Sequence, residues 1–352
     1  MLAIIAKLWL SHTQSKKIYN NYTYDCKGRK MQKKTILFLN GIADDKEVAL
    51  VKIQKDGSIV FEHTGSANIE KYIQSDTFNK IELTFDTNTK QETMGLRFDA
   101  VFNQISDPDS HTITLTKVEA MQAKLPLEVP FYNKAENVRK STRDNIYLLL
   151  QGIDGLHVPK TVKISPQSPK EVHKAIKKEG FLYPVIFRQA GDHGGVSTIR
   201  IDDTSEMFYP FALDGRDYYL TQYVEYKDEN GFYSKQRLLV INGKVFLNDA
   251  MFSKNWMVHN ERQVEKPAFK KVIAKDFSKK TTAQIQPVIS EIYKRLGLDY
   301  FGIDCHIDKD MNLLIFEINA NMSMFRGENM EKGVFKHHVK MSYNALLKML
   351  VS

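Results

Sequence analysis

From Thr35 onward, short runs of apolar, β-branched residues alternate with longer stretches whose apolar positions recur every three or four residues. That is the pattern of mixed strands and helices. ILFLNG (36–41) reads as a buried strand closed by Asn-Gly, and EVALVKIQKDGSIVFEH (47–63) as two strands turning at Asp56-Gly57. FDAVFNQIS (98–106) is another strand followed by a turn. Together these predict a small α/β lobe over 31–135.

The pattern changes after Lys134. A helix is expected from Ser141 or Thr142 to a stop at Gly152, then a strand at 158–165. The segment 168–180 reads as a helix with Ser168 as N-cap, Pro169 at its first position and a terminal glycine. Strands follow at 183–189, 196–203 and 218–226, and a hairpin over 234–252 turns at Asn242-Gly243. A helix at 281–296, a hairpin at 299–321 and a helix at 333–350 complete the chain. The lobes are expected at 136–225 and 226–352.

The chain has 352 residues, enough for two or three lobes. With 42% hydrophobic and 26% charged residues and only 10 prolines, collagen-like, mucin-like and wholly disordered classes are excluded. The net charge of +8 points to a polyanionic partner only if it is clustered. Residues 1–30 hold Lys7, Lys16, Lys17, Lys27, Arg29 and Lys30 against Asp25 alone, which leaves +3 for the remainder. The opening run MLAIIAKLWL is half the length of a membrane span and carries its charge after the apolar stretch, unlike a secretory signal. Residues 1–30 are therefore expected to be a poorly ordered extension, a short amphipathic surface anchor being the alternative. Met31 looks like a cytoplasmic start, and two cysteines, Cys26 and Cys305, fit a reducing cytosol. No basic cluster or aromatic-basic module predicts nucleic acid as a partner.

The candidate chemistry sits in the last hairpin. Asp304 interrupts an apolar strand, and Glu317 and Asn319 sit two apart on its partner, so the latter two share a face. Two carboxylates and an amide oxygen on adjacent strands suit a hard cation such as Mg²⁺, the alternative being an ordinary acidic strand edge. Cys305 points to the other face and reads as core. In YPVIFRQAGDHGG a strand delivers Arg188 to a loop with Gly191, His193, Gly194 and Gly195, able to close over phosphates. Lys235 and Arg237 share a face of the following hairpin. Lys254, Trp256 and His259 lie between the two hairpins as candidates for closing over a ligand, and Arg326 could receive a substrate carboxylate.

Taken in order, TRDNIYLLLQGIDGLHVPKT, PVIFRQAGDHGG, LTQYVEY, QRLLVINGKVF and LGLDYFGIDCHIDKDMNLLIFEINAN resemble the ATP-grasp superfamily over residues 134–322. The resemblance is nearest in character to ATP-grasp domains of bacterial tetratricopeptide-repeat proteins. It implies an α/β (α+β) fold, with a small N-terminal lobe followed by two α+β lobes clasping a nucleotide. It also implies ATP and Mg²⁺, two ions by expectation with Mn²⁺ as a substitute, and a carboxylate–amine ligase working through an acylphosphate. Phosphotransfer, or nucleotide binding without turnover, are the alternatives.

Carried onto this chain, the resemblance makes Asp304, Glu317 and Asn319 the metal ligands. Arg188 stands where the family has a phosphate-binding lysine. Gln222, Tyr223 and Val224 become the adenine hinge, and Glu225 the ribose carboxylate. Arg237, with Lys235, neutralises the transferring phosphoryl group. The family's helix-start lysine corresponds to Asn145, with Arg143 as a substitute. The substrate is expected to be a small molecule or peptide and the protein cytoplasmic. No membrane partner is expected, and the oligomeric state stays open, with a homodimer among the options.

Overall fold

The computed structural model describes residues 22–24, 30–53, 59–62, 65–73, 77–88, 95–192, 195, 197–259, 270–271, 273, 275, 279–322, 325 and 333–352. The N-terminal lobe is built on a four-stranded parallel sheet. Its order is Phe78–Phe85, Lys34–Gly41, Ala100–Asn103, Phe131–Tyr132. The central strand carries the continuous apolar run that a parallel strand covered on both faces requires, and Ile36 to Leu39 are fully buried. A helix, Thr112–Gln122, packs on this lobe.

Tyr22–Tyr24 pairs antiparallel with Lys30–Gln32; the rest of the extension expected over residues 1–30 lies outside the described residues. The strands Ala49–Ile53 and Ile59–Glu62 pair as expected, while the turn at Asp56-Gly57 lies outside the described residues.

The second sheet is antiparallel, in the order Thr161–Ile164, Tyr218–Gln222, Val185–Gln189, Thr198–Ile201. The helix Pro169–Lys178 covers it. Ser168 caps that helix by accepting from the Glu171 amide, and Pro169 opens it, as read from sequence. The third sheet runs Lys244–Ser253, Tyr233–Ile241, Tyr300–Ile307, Leu313–Ala320, Leu156–His157. Its first hairpin turns at Asn242-Gly243, where φ values of 46° and 74° place both residues in the left-handed region that a two-residue hairpin turn demands. The helices Lys279–Leu296 and Lys336–Val351 pack on this sheet. No described helix is long and apolar enough to cross a membrane.

The hydrophobic cores divide the chain differently from the lobes. One continuous core joins the N-terminal sheet to the third sheet, from Ile36 to Leu350. The second sheet has its own core of Val172, Ile176, Phe181, Val185, Phe187, Ile201, Phe208, Tyr218 and Leu220. The segment placed by sequence at the start of the second lobe packs elsewhere: Ile146, Leu150 and Ile153 belong to the larger core. The second lobe is thus a separately packed body, a lid beside a single frame.

One buried side chain stitches the two halves of that frame. Asn133 is fully buried with φ 54°. Its Oδ1 accepts from the Asp299 and Tyr300 amides at 2.8 and 3.0 Å. Its Nδ2 donates to the Tyr300 carbonyl and Asn321 Oδ1, both at 2.7 Å. Asn321 in turn donates to the Ile105 carbonyl. Asparagine tolerates left-handed backbone and fills both roles at once. Asn133→Ala strands these buried groups, each costing ~1–3 kcal/mol, so the expected loss of stability in urea unfolding is at least about 3 kcal/mol. A loss below about 1 kcal/mol would show that the stitch is not holding the frame.

Candidate active site

A cavity of about 370 Å³ lies between the lid sheet and the third sheet. That is within the roughly 300–1,000 Å³ of small-molecule sites. The third sheet supplies its polar floor. Asp304 and Glu317 are direct cross-strand partners, and Asn319, two residues beyond Glu317, faces Gly302. All three line the cavity, as the period-two spacing predicts. Cys305 is fully buried on the other side, and burial pushes its thiol well above the usual range.

The carboxylates are held by cations. Arg237 is the cross-strand partner of Asp304 on its other side, and its Nε lies 3.0 Å from Asp304 Oδ1. Lys235 Nζ lies 3.1 Å from Oδ2. Arg237 also faces Asp249 across the first hairpin. Burial pushes the Asp249 carboxyl above its ordinary range. Glu317 pairs with Arg143, Nη2 to Oε2, at 2.5 Å, and Arg143 Nη1 donates to the Phe316 carbonyl. Arg143 opens the Arg143–Leu150 helix and turns into the cavity. Asn145 instead is exposed and donates to the Arg139 carbonyl, so Arg143 is the basic group that this helix offers.

The lid supplies the roof. Arg188 Nη2 donates to the Asp192 carbonyl at 2.6 Å, while its buried Nε has no partner among the described residues. Burial, with Arg143 adding in the same direction, pushes its guanidinium down to about 10, still cationic at neutral pH. The buried hydroxyl of Thr198, its cross-strand neighbour, likewise has no partner among the described residues. Asp192 closes the glycine-bearing loop by accepting from the Ser197 amide and hydroxyl at 2.9 and 2.6 Å. Gly195 lines the cavity; His193 and Gly194 lie outside the described residues, as does Arg326.

At the junction of lid and frame, Gln222, Tyr223 and Val224 line the cavity. The Gln222 amide is turned away and tied to Leu182 and Pro184, leaving this stretch to meet a ligand through its backbone and the Tyr223 ring. The strand ends at Gln222, short of the expected 226. Glu225 is exposed and does not line the cavity; its carboxylate accepts from the Tyr223 and Tyr233 hydroxyls, both at 3.1 Å. Tyr226 lines the wall instead. Trp256 and His259 line the cavity too, and the Trp256 ring stands edge-on to Tyr223 at 6.1 Å. Lys254 is exposed over the Phe232 ring and points elsewhere.

Several lining residues carry no signal in sequence. Thr161 and Thr221 face each other across two lid strands with hydroxyls 3.1 Å apart. Val158, Ile186, Met257, Leu314 and Phe316 complete the apolar wall. Among the described residues no group of three or more His, Cys, Asp and Glu side chains forms a metal cluster. The Asp304, Glu317 and Asn319 oxygens nonetheless suit a hard divalent cation, their third donor being an amide.

No protein-family profile matches the sequence, and no curated protein matches it. Solved structures do. The chain is similar to D-alanyl-alanine synthetase A from Vibrio cholerae, with a TM-score of 0.55 and 15% identity, over 92% of this chain and 100% of that one. It is similar to N5-carboxyaminoimidazole synthetase from Staphylococcus aureus complexed with ADP, with a TM-score of 0.55 and 13% identity, over 91% and 78%. It is also similar to a RimK domain ATP-grasp protein from Sphaerobacter thermophilus, with a TM-score of 0.50 and 12% identity, over 89% and 99%. A lid sheet clasped against a sheet bearing paired carboxylates defines a two-sheet clasp. The chain has the ATP-grasp fold.

Asp304 is 5% exposed, so its charge is matched almost entirely by Lys235 and Arg237. Asp304→Asn leaves two cations facing each other. The expected cost is about 2 kcal/mol in urea unfolding, below the ~3–5 kcal/mol of fully buried pairs because water reaches both cations. A stability within about 0.5 kcal/mol of the parent would mean that the trio is not coupled.

Proposed function

We propose that the protein is an ATP-dependent ligase that joins a carboxylate to an amine on a small molecule or peptide. The reading rests above all on one observation. The Asp304–Glu317 cross-strand pair, with Asn319, looks across the cavity to Arg188, whose buried Nε has no partner among the described residues. Acid oxygens on one wall and an incompletely paired guanidinium on the other suit a metal-complexed polyphosphate. The similarity to two synthetases of the same fold supports it, one of them complexed with ADP.

In this reading the base lies against Gln222–Val224 and Trp256, and the phosphates extend toward Arg188, Arg143 and Arg237. A substrate carboxylate oxygen attacks the γ-phosphorus, the bond to ADP breaks, and an acylphosphate forms. The amine then attacks the acyl carbon and phosphate leaves. Mg²⁺ held by Asp304, Glu317 and Asn319 would supply Lewis-acid charge to the phosphate oxygens. Arg188 and Arg237 screen the transferring group from opposite walls, a positioning and charge-neutralising role rather than a covalent one. The lid excludes the water that would otherwise hydrolyse the acylphosphate. Arg143 engages Glu317 Oε2, so a cation at this carboxylate would have to share or displace that contact.

The test is to incubate the full chain with ATP, Mg²⁺ and a pool of amino acids while following ADP and free phosphate. Release of both only when carboxylate and amine are present together is the expected result. A phosphorylated product without free phosphate would replace the ligase by a phosphotransferase. Thermal stabilisation by ATP with no ADP formed would replace it by a nucleotide-binding module. Glu317→Gln is expected to lower kcat/KM by about 10²–10³-fold with an unchanged circular-dichroism spectrum. Full activity in that variant would remove Glu317 from the site.

A further inference from the structure

The lid has a core of its own, so it can move as a body about its junction with the frame. At that junction it is tied by the Tyr223 and Tyr233 hydroxyls and by the Tyr226 hydroxyl donating to the Trp256 carbonyl. At the opposite end a loop of the N-terminal lobe, residues 106–110, reaches onto it. Asp109 Oδ1 lies 2.6 Å from Lys163 Nζ, and its Oδ2 accepts from the Tyr219 hydroxyl at 2.6 Å. The Asp109 side chain is only 12% exposed, so these are partly desolvated, charge-assisted contacts.

The loop is braced on its own lobe. Asp107 accepts from the Asp109 amide at 2.9 Å and from the Ser110 hydroxyl at 2.7 Å. Ser110 contacts the fully buried His111, and Ser106 donates to the Gly65 carbonyl. Asp109 is therefore presented by the frame, not carried by a free loop.

Its two partners are not arbitrary places on the lid. Lys163 pairs with Tyr219, Tyr219 with Arg188, and Arg188 with Thr198. These four residues form one row across all four lid strands, and cross-strand partners share a face. Asp109 grips the first two; the last two, Arg188 and Thr198, line the cavity. Gripping one end of a rigid row fixes the other.

We propose that Asp109 is the latch of the lid: it couples the N-terminal lobe to the Lys163–Tyr219 end of this row and so holds Arg188 over the carboxylates of the third sheet. It is a positioning residue. The latch stands on contacts within the free protein and does not depend on the ligase reading.

The experiment is a spin-label distance measurement on the full chain without ligand, in a Cys26→Ser background. Labels are placed at Lys177→Cys on the lid and Glu128→Cys on the N-terminal lobe, both exposed positions. The parent is expected to give one dominant short distance. Asp109→Ala and Lys163→Met, made on opposite lobes, are each expected to enlarge a longer-distance population by at least about tenfold. The charge-reversed pair, Asp109→Lys with Lys163→Asp, is expected to restore most of the short distance, which a merely structural defect would not allow. Distance distributions for both single variants that superimpose on the parent would overturn the latch. So would equal broadening in the single and the charge-reversed variants.

Discussion

The architecture depends on one buried amide. Asn133 joins the end of the N-terminal sheet to the Tyr300–Ile307 strand through four side-chain hydrogen bonds in a place that no water reaches. Because those bonds are satisfied, two lobes that are distant in sequence share one core and behave as one frame. The lid is excluded from that core. A rigid frame and a separately packed lid are the two bodies a clasp needs, and the cavity is the space between them. Everything polar in the site is referred to this division: carboxylates on the frame, Arg188 and the threonines on the lid.

Electrostatics follow from the same geometry. Arg143, Arg188, Lys235 and Arg237 line the cavity against Asp304 and Glu317. Two positive charges are left in surplus in a partly enclosed cavity, where each is screened less than it would be on the open surface. Desolvating a charge is costly, and the protein meets that cost by pairing three of the four cations with the two carboxylates. Arg188 is the exception, and burial drives its guanidinium down. The overall charge of +8 is a poor guide to this, since most of it lies in residues 1–30. What matters is a local surplus of two, opposite two acids.

Much of this is legible in the amino-acid sequence. The period-two spacing of Glu317 and Asn319, the Asn242-Gly243 turn and the Ser168-Pro169 helix start are local rules, and each is met. Other elements escape local rules. The strand Phe78–Phe85 has polar residues on partly buried positions and gives no clean alternation. The helix Thr112–Gln122 opens with β-branched residues, which favour strand, and is held by Asp44 accepting from the Ile113 and Thr114 amides. A place for Glu225 in the site requires the strand to continue to 226. The strand ends at Gln222, and beyond it alternation no longer predicts which side chain faces the cavity. Lys254 sits in a bend after the Lys244–Ser253 strand, where alternation likewise gives no direction.

The pairing of Arg143 with Glu317 bears on how such a site is kept. Arg143 pairs with Glu317, as Lys235 and Arg237 pair with Asp304, so each carboxylate has its own cationic partner. The same contact makes Arg143 a competitor for whatever cation binds Glu317. In the proposed ligase reading, a phosphate chain would offer Arg143 and Arg188 an anion while a divalent cation takes the carboxylates. Cation and polyphosphate would then bind with positive coupling, each removing the partner that the other must displace. Arg143 thus does more than add charge. A guanidinium can bridge Glu317 and the Phe316 carbonyl with two separate nitrogens, which a single ammonium point charge does less well, and that bridge holds the site ready.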